Sequence, residues 1–209
     1  MLGRLFAALF RPAAPAAPAG PIKLNLGCGG RLLPDYVNVD KFGEPDVRWD
    51  LETFPWPWRD DSVEEVVMSH VLEHLGATPD VFMGIMRELY RVCRDGARLR
   101  IAVPHPRHDN FLGDPTHVRP ITLQLLTLFS RERNLEWQAK GFASPPLALY
   151  HDVDFEIEES SYVLEAEYAR RWQESGGSPQ ELERLLRTYN NVASEINVVL
   201  RVVKGQPSS

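Results

Sequence analysis

Short apolar runs separated by polar turns fill the first third of the chain. Four of these runs have the length of buried strands and lie at residues 22–26, 36–39, 47–49 and 63–68. Between a start signal at Thr78-Pro79 and a stop signal at Gly96, apolar residues follow helical spacing: Phe82, Ile85, Met86 and Leu89. A fifth apolar run at 99–103 ends at Pro104. The pattern therefore predicts strands followed by a strand–helix–strand unit.

The second half of the chain continues this alternation less regularly. An apolar helix is predicted over about 121–129, and residues 155–166 fit either one long strand or a strand and a bend. Ser178-Pro179-Gln180-Glu181 predicts the capped start of another helix, and residues 196–203 predict a closing strand. Alternating strands and helices indicate an α/β fold, with a mostly parallel, open sheet of about seven strands and helices on both faces.

Composition and charge are typical of one soluble globular domain. The 209 residues are 44% hydrophobic and 25% charged, which fits a single domain of ordinary size. The net charge of -6 argues against broad electrostatic binding to nucleic acid, although a nucleic acid held in a local groove stays open. We therefore predict that the partner is not a nucleic acid.

The two ends of the chain differ from its middle. Residues 1–20 combine a short amphipathic segment with an Ala/Pro-rich stretch, which predicts a flexible tail. The apolar part is too short to span a bilayer and has a weak core for a signal peptide, so weak contact with a membrane surface is the alternative to a free tail. The predicted domain covers residues 21–204, and 205–209 form a second disordered tail.

The chain contains two cysteines, Cys28 and Cys93. Two cysteines are too few for a disulfide framework, and these two do not form a CxxC metal pair. This cysteine usage favours a reducing, cytoplasmic setting.

A glycine-rich turn, Gly27-Cys28-Gly29-Gly30, follows the first predicted strand. In open α/β sheets ligands bind beyond the carboxyl ends of the strands, and glycines let the backbone approach a ligand closely. Asp40 ends the next strand, where it can accept hydrogen bonds from ribose hydroxyls, and Asp50 ends the third. Alternatively, the glycine-rich turn is only a tight connection after the strand and binds no ligand. A nicotinamide dinucleotide fits less well, because Leu32 stands where its fingerprint wants Gly or Ala.

Four blocks of sequence occur in the order found in a known enzyme family. They are residues 23–30 with Val39-Asp40, residues 50–56 with 61–64, residues 67–75, and residues 87–92 with 95–99. Together they resemble the class I S-adenosylmethionine-dependent methyltransferases, and in particular a small branch often associated with saccharide and lipopolysaccharide biosynthesis. The resemblance implies a Rossmann-like fold and S-adenosylmethionine as the cofactor.

The resemblance also implies which residues hold the cofactor. The turn Gly27-Cys28-Gly29 would pass under the methionine part, and Asp40 would hold the ribose. Asp50 and Leu51 would flank the adenine, and Ser69 or His70 would lie near the sulfonium. One departure concerns the first helix of that family. Only about nine residues separate Gly30 from Asp40, so this helix must be very short or absent.

Histidines are concentrated where the predicted strands end. Five of the six lie between residues 70 and 117. Methyl transfer to a hydroxyl needs a nearby base, and histidine is the most common one. The predicted candidates for this base are His74, His105, His108 and His117. Residues from about 105 to 190 are predicted to form a substrate lid. Alternatively, His74 has only a structural role, in packing and capping.

A metal site is the other chemistry that these histidines suggest. His70, Glu73 and His74 are spaced three and four apart, so all three side chains would share one helical face. A fourth ligand would come from His105, His108 or His117, and two histidines with a carboxylate suit zinc or ferrous iron. Some related methyltransferases carry a divalent ion at a Glu-x-x-Glu-His segment, but His70 replaces the first Glu here. We therefore predict no metal ligand.

The sequence thus predicts an enzyme that transfers a methyl group from S-adenosylmethionine to a hydroxyl. The predicted acceptor is a sugar, a glycan precursor or another small molecule, which follows from the resemblance alone. Two alternatives stay open. One is a non-catalytic S-adenosylmethionine-binding protein that regulates a partner, and the other is a nicotinamide-dependent oxidoreductase.

Overall fold

A computed structural model describes residues 20–205, so the predicted N-terminal amphipathic segment and residues 206–209 lie outside the described part. Within it, seven strands form one sheet: β1 (Ile22–Leu26), β2 (Val37–Asp40), β3 (Val47–Arg48), β4 (Val63–Ser69), β5 (Cys93–Pro104), β6 (Phe155–Leu164) and β7 (Ala193–Val202). The seven described α-helices are α1 (Pro79–Val92), α2 (Asp109–Leu112), α3 (Leu123–Thr127), α4 (Arg131–Ala139), α5 (Leu147–His151), α6 (Ala166–Glu174) and α7 (Pro179–Thr188).

The sheet has the order β3-β2-β1-β4-β5-β7-β6. The strands from β1 to β5 pair in parallel, and β7 is antiparallel to both of its neighbours, β5 and β6. Six strands therefore run in one direction and one runs in the other. The predicted Rossmann-like, mostly parallel sheet is confirmed, and the carboxyl ends of β1 to β5 meet at one edge.

Helix α1 packs on the sheet through the apolar residues that predicted it. Phe82, Ile85, Met86 and Leu89 are all buried in the core. Burying each of these side chains is worth about 1.5–3 kcal/mol. The ends of α1 differ from the prediction: the Thr78 side chain makes no capping hydrogen bond, and α1 stops at Val92 because the backbone passes directly into β5. None of the helices in residues 20–205 has the length and apolar character needed to cross a bilayer.

Through α3, the segment that follows β5 contributes to the layer of α1. The predicted helix at 121–129 is a shorter helix, α3. Beyond its end, the Phe129 ring packs edge-on against the Phe82 ring, with the ring centroids 6.1 Å apart. Phe155 at the start of β6 is also buried. Residues 105–190 were predicted to form a lid, yet α3 and the first residue of β6 belong to the core. That leaves the loops and helices around them for any lid function.

Within the described chain, no helix connects β1 to β2, β2 to β3 or β3 to β4. The connection from β1 to β2 contains only residues 27–36, whereas a helical crossover needs about a dozen residues or more. The face opposite α1 instead carries a row of charges, in which Glu65 pairs with Lys23 and Arg100.

Candidate active site

A cavity of about 400 Å³ lies where the carboxyl ends of the first four strands meet. Six of the predicted site residues line it: Gly27, Asp40, Asp50, Leu51, His70 and His74. The remaining lining residues were not predicted as site residues: Lys41, Phe42, Trp49, Val71, Leu75 and Thr116. A volume of this size falls within the range of small-molecule sites.

Gly27 is the residue of the turn that lines the cavity, and its backbone requires glycine. Its φ is +66°, and a Cβ placed there would lie 2.6 Å from Val71 Cγ1 and closer still to Cγ2. Cys28 and Gly29 do not line the cavity. The Cys28 side chain is buried and its N–H donates to the Val39 carbonyl, which ties the turn to β2.

The Asp40 carboxylate is held by two backbone N–H groups. Gly29 N donates to one oxygen and Phe42 N donates to the other, each at 2.8 Å. Each oxygen keeps a further lone pair for a ligand hydroxyl. Asp50 is the neighbouring acid, two residues after the end of β3, and it accepts from Glu52 N at 3.0 Å. The predicted pair of acids therefore lies on the rim of the cavity.

His70 follows the last residue of β4 and takes the left-handed conformation, with φ +55°. Its Nε2 lies 2.7 Å from Glu195 Oε2. A carboxylate only accepts hydrogen bonds, so Nε2 carries the hydrogen and Nδ1 keeps its lone pair in the neutral ring. Glu195 was not predicted, because it lies 125 residues further along the chain. Ser69, which was predicted to lie near the sulfonium, lines a different cavity, on the face of the sheet opposite α1.

Thr116 fixes the tautomer of His74. The Thr116 hydroxyl donates to Asp114 Oδ1 at 2.6 Å, so it accepts from His74 Nδ1 at 3.0 Å. The Thr116 carbonyl, also an acceptor, lies 3.3 Å from the same nitrogen. His74 Nδ1 therefore carries the hydrogen, and Nε2 is left with a lone pair.

His117 is held in the same tautomer by a different partner. Its Nδ1 lies 2.9 Å from the Phe111 carbonyl, which only accepts, so Nε2 again keeps its lone pair. The ring centroids of His74 and His117 are 4.6 Å apart, and Phe111 stacks on the other side of His117.

Glu73 is fully buried between these histidines, in a short 3₁₀ helix, Leu72–His74. Neither of its carboxylate oxygens has a hydrogen-bond partner among the described residues. Its Oε1 lies 3.5 Å from His70 Nδ1 and 4.0 Å from His74 Nε2. Burial raises the pKa of this carboxyl.

His105 and His108 do not line the cavity, and both have local partners. His105 Nδ1 accepts from Arg107 N at 3.2 Å, and burial together with the Arg107 charge lowers the pKa of His105. His108 caps α2 by accepting from Asn110 N, and its Nε2 lies 3.3 Å from a Glu165 oxygen. The fold thus brings His70, His74 and His117 together around Glu73, and of the five histidines only His70 and His74 line the cavity.

Neither a scan against protein-family models nor a search of curated proteins gives a match to the chain. Solved structures match it over most of its length. A SAM-dependent methyltransferase from Archaeoglobus fulgidus is similar, with a TM-score of 0.56 and 18% identity over 88% of this chain and 86% of that chain. A second, from Methanosarcina mazei, has a TM-score of 0.50 and 12% identity over 88% and 93%. The chain therefore has the fold of the class I S-adenosylmethionine-dependent methyltransferases.

Proposed function

We propose that this protein is an S-adenosylmethionine-dependent methyltransferase that acts on a hydroxyl group of a small molecule. The observation that carries the proposal is the cavity at the strand ends, which joins a glycine turn and a fixed carboxylate to two histidines. The fold supports it, since structures that share this fold are named as SAM-dependent methyltransferases. A sugar or glycan precursor is the proposed acceptor, on the sequence resemblance.

The residues of the cavity fit the cofactor. A Cβ at position 27 would run into Val71, so the backbone surface over which the amino-acid part would lie is kept bare. The Asp40 carboxylate is pre-positioned by two N–H donors, as hydrogen bonding to a ribose would require. Phe42 and Leu51 supply apolar surface for the adenine. Asp50 lies beside them on the rim.

When bound, S-adenosylmethionine supplies a methyl group on a positively charged sulfur, open to attack by an oxygen. We propose that His70 takes the proton from that oxygen. Its Nε2–H is directed to Glu195, which orients the ring and stabilises the imidazolium that forms. Of the four histidines predicted as the base, His74 is the one that lines the cavity, but its Nδ1–H is bound by the Thr116 hydroxyl and not by a carboxylate that would stabilise an imidazolium.

Cofactor binding is tested first, by calorimetry with S-adenosylhomocysteine and with NADH. The variant Asp40→Asn removes the charge that would bind the ribose, and we expect its dissociation constant for S-adenosylhomocysteine to rise about tenfold to a hundredfold. Glu44→Gln is the matched control, because it removes the same charge from an exposed position of the loop that follows Asp40. A protein that binds NADH but does not bind S-adenosylhomocysteine would instead be an oxidoreductase.

Transfer is tested separately, with methyl-labelled S-adenosylmethionine and pools of monosaccharides, nucleotide sugars and other hydroxyl compounds. We expect label in one pool, and a loss of about a hundredfold or more in the transfer rate for His70→Asn with unchanged S-adenosylhomocysteine binding. Equal rates for the His70→Asn and parent proteins would exclude His70 as the base. Label on a nitrogen or sulfur acceptor would contradict hydroxyl methylation.

A further inference from the structure

Glu73, His74 and His117 form a compact cluster beside the cavity. Each of them offers one ligand atom, and these three atoms all lie within 4.8 Å of one another. Glu73 and His74 are adjacent in the chain, but His117 comes from the loop between α2 and α3. Two backbone hydrogen bonds hold that loop in place, since Val118 N and Arg119 N both donate to the Glu73 carbonyl at 2.9 and 3.1 Å. The cluster is therefore built into the fold.

The two histidines present unprotonated nitrogens. Thr116 holds the hydrogen of His74 on Nδ1, and the Phe111 carbonyl holds that of His117 on Nδ1. Both Nε2 atoms consequently keep their lone pairs and have no hydrogen-bond partner among the described residues; the carboxylate oxygen facing His117 Nε2, Asp114 Oδ2, lies 3.8 Å away. A ring whose Nδ1–H is hydrogen-bonded to a carbonyl or hydroxyl oxygen is the usual state of a histidine that binds a metal through Nε2.

Glu73 supplies an independent observation. Its side chain is completely buried, and both oxygens are without a hydrogen-bond partner in residues 20–205. A buried carboxylate without partners costs several kcal/mol, so such groups are normally paired or bound to a cation. No lysine or arginine forms an ion pair with this carboxylate in the described chain; the groups near it are the three imidazoles.

We propose that Glu73, His74 and His117 bind one divalent transition-metal ion, of the class of Zn²⁺ or Fe²⁺. Two imidazole nitrogens and one carboxylate oxygen suit these ions, whereas Mg²⁺ and Ca²⁺ favour oxygen ligands. Two ligand atoms at about 2.1 Å from one tetrahedral ion lie about 3.4 Å apart. The three ligand atoms now lie within 4.8 Å of one another, so metal binding needs them to approach by up to about 1.4 Å.

The site faces the cavity on one side. His74 is the ligand that also lines the cavity, while Glu73 is fully buried behind it. Three protein ligands leave at least one coordination position for water or a substrate oxygen. The proposal does not depend on the proposed function, because it concerns metal binding by the protein alone.

The competing explanation is a cluster without metal, in which Glu73 is protonated or pairs with a protonated histidine. The two explanations predict different responses of the parent protein to Zn²⁺. Without metal, neither the parent nor the Glu73→Gln variant, in which a buried group of the same shape is only neutralised, should gain stability from added Zn²⁺. With a metal site, the parent protein gains stability from Zn²⁺ in proportion to its affinity, and the variant loses that gain.

The experiment uses the full chain without a histidine tag, dialysed against a chelator and then titrated with Zn²⁺ by calorimetry. We expect one ion per chain, and a rise of about a hundredfold or more in the dissociation constant for Glu73→Gln and for His117→Gln. His151→Gln is the matched control, because this histidine lies on α5, away from the cluster. Its affinity for Zn²⁺ should equal that of the parent.

Co²⁺ provides a second readout that does not depend on the stability of any variant. An ion bound by two nitrogens and a carboxylate gives a visible absorption spectrum distinct from that of hydrated Co²⁺, and one equivalent of Zn²⁺ should abolish it. Failure of the parent protein to bind either ion would overturn the proposal. So would His117→Gln and Glu73→Gln proteins that bind Zn²⁺ as tightly as the parent. Loss of S-adenosylhomocysteine binding with intact Zn²⁺ binding would contradict only the proposed function.

Discussion

Replacing Gly27 by alanine tests whether the turn after β1 has to be bare. Two penalties apply at this position. At φ +66° a residue with a Cβ is strained by about 1–2 kcal/mol. The added Cβ would also lie 2.6 Å from Val71 Cγ1, and overpacking of this kind typically costs about 1–3 kcal/mol. Val71 is buried and β-branched, so it has few rotamers with which to move away. We therefore expect Gly27→Ala to lower the free energy of unfolding by about 2–5 kcal/mol.

Gly96→Ala separates the two penalties. Gly96 also has a positive φ, +73°, but a Cβ there would meet nothing within 4 Å. We expect this variant to lose only the backbone term of about 1–2 kcal/mol. The gain from restricting the unfolded chain is the same for both substitutions and cancels in the comparison. The difference between the variants, about 1–3 kcal/mol, is then the cost of crowding Val71.

The assay is urea unfolding followed by circular dichroism, with the midpoint compared at an unchanged slope. Calorimetry with S-adenosylhomocysteine gives the second measurement, in which Gly27→Ala should bind at least about tenfold more weakly and Gly96→Ala like the parent. Equal midpoints for the two variants would refute the reasoning about Val71. Unchanged binding by a folded Gly27→Ala protein would show that the turn does not face the cofactor.

Two further predictions concern groups away from the cavity. Arg91 donates to the buried Glu88 and to Asp60, and we expect Arg91→Met to cost about 3–5 kcal/mol in urea unfolding, since the buried Glu88 would lose its charged partner and keep only the hydrogen bond from Trp56 N; a loss under about 1 kcal/mol would contradict this. Burial raises the pKa of Cys93 to about 12, so its thiol should react with a thiol reagent at pH 8 only on unfolding, and its contribution to stability should fall as the pH rises above about 9. Rapid modification of Cys93 in the folded protein would contradict this.

Local patterns in the sequence determined most of the sheet and the rim of the cavity. Apolar runs of strand length predicted the first four strands to within one or two residues at each end. Parallel strands end at one edge, so the residues that follow them, Gly27, Asp40 and Asp50, were expected together, and they line one cavity. The short connection from β1 to β2 is also a local property, and it correctly indicated a missing helix.

Contacts between residues far apart in the chain were decided by the tertiary structure. His70 meets Glu195 across 125 residues, and His74 meets Thr116 across 42. The spacing of five histidines could not select among them, since the selection depends on how the loop after β5 folds back onto Glu73. Which nitrogen of each histidine keeps its lone pair depends on those same distant partners, and the spacing of residues in the sequence does not predict them. Strand periodicity predicts which face of the sheet a side chain lies on. A binding site also depends on the distances between residues of different strands and loops, and these distances are set only when the whole chain packs.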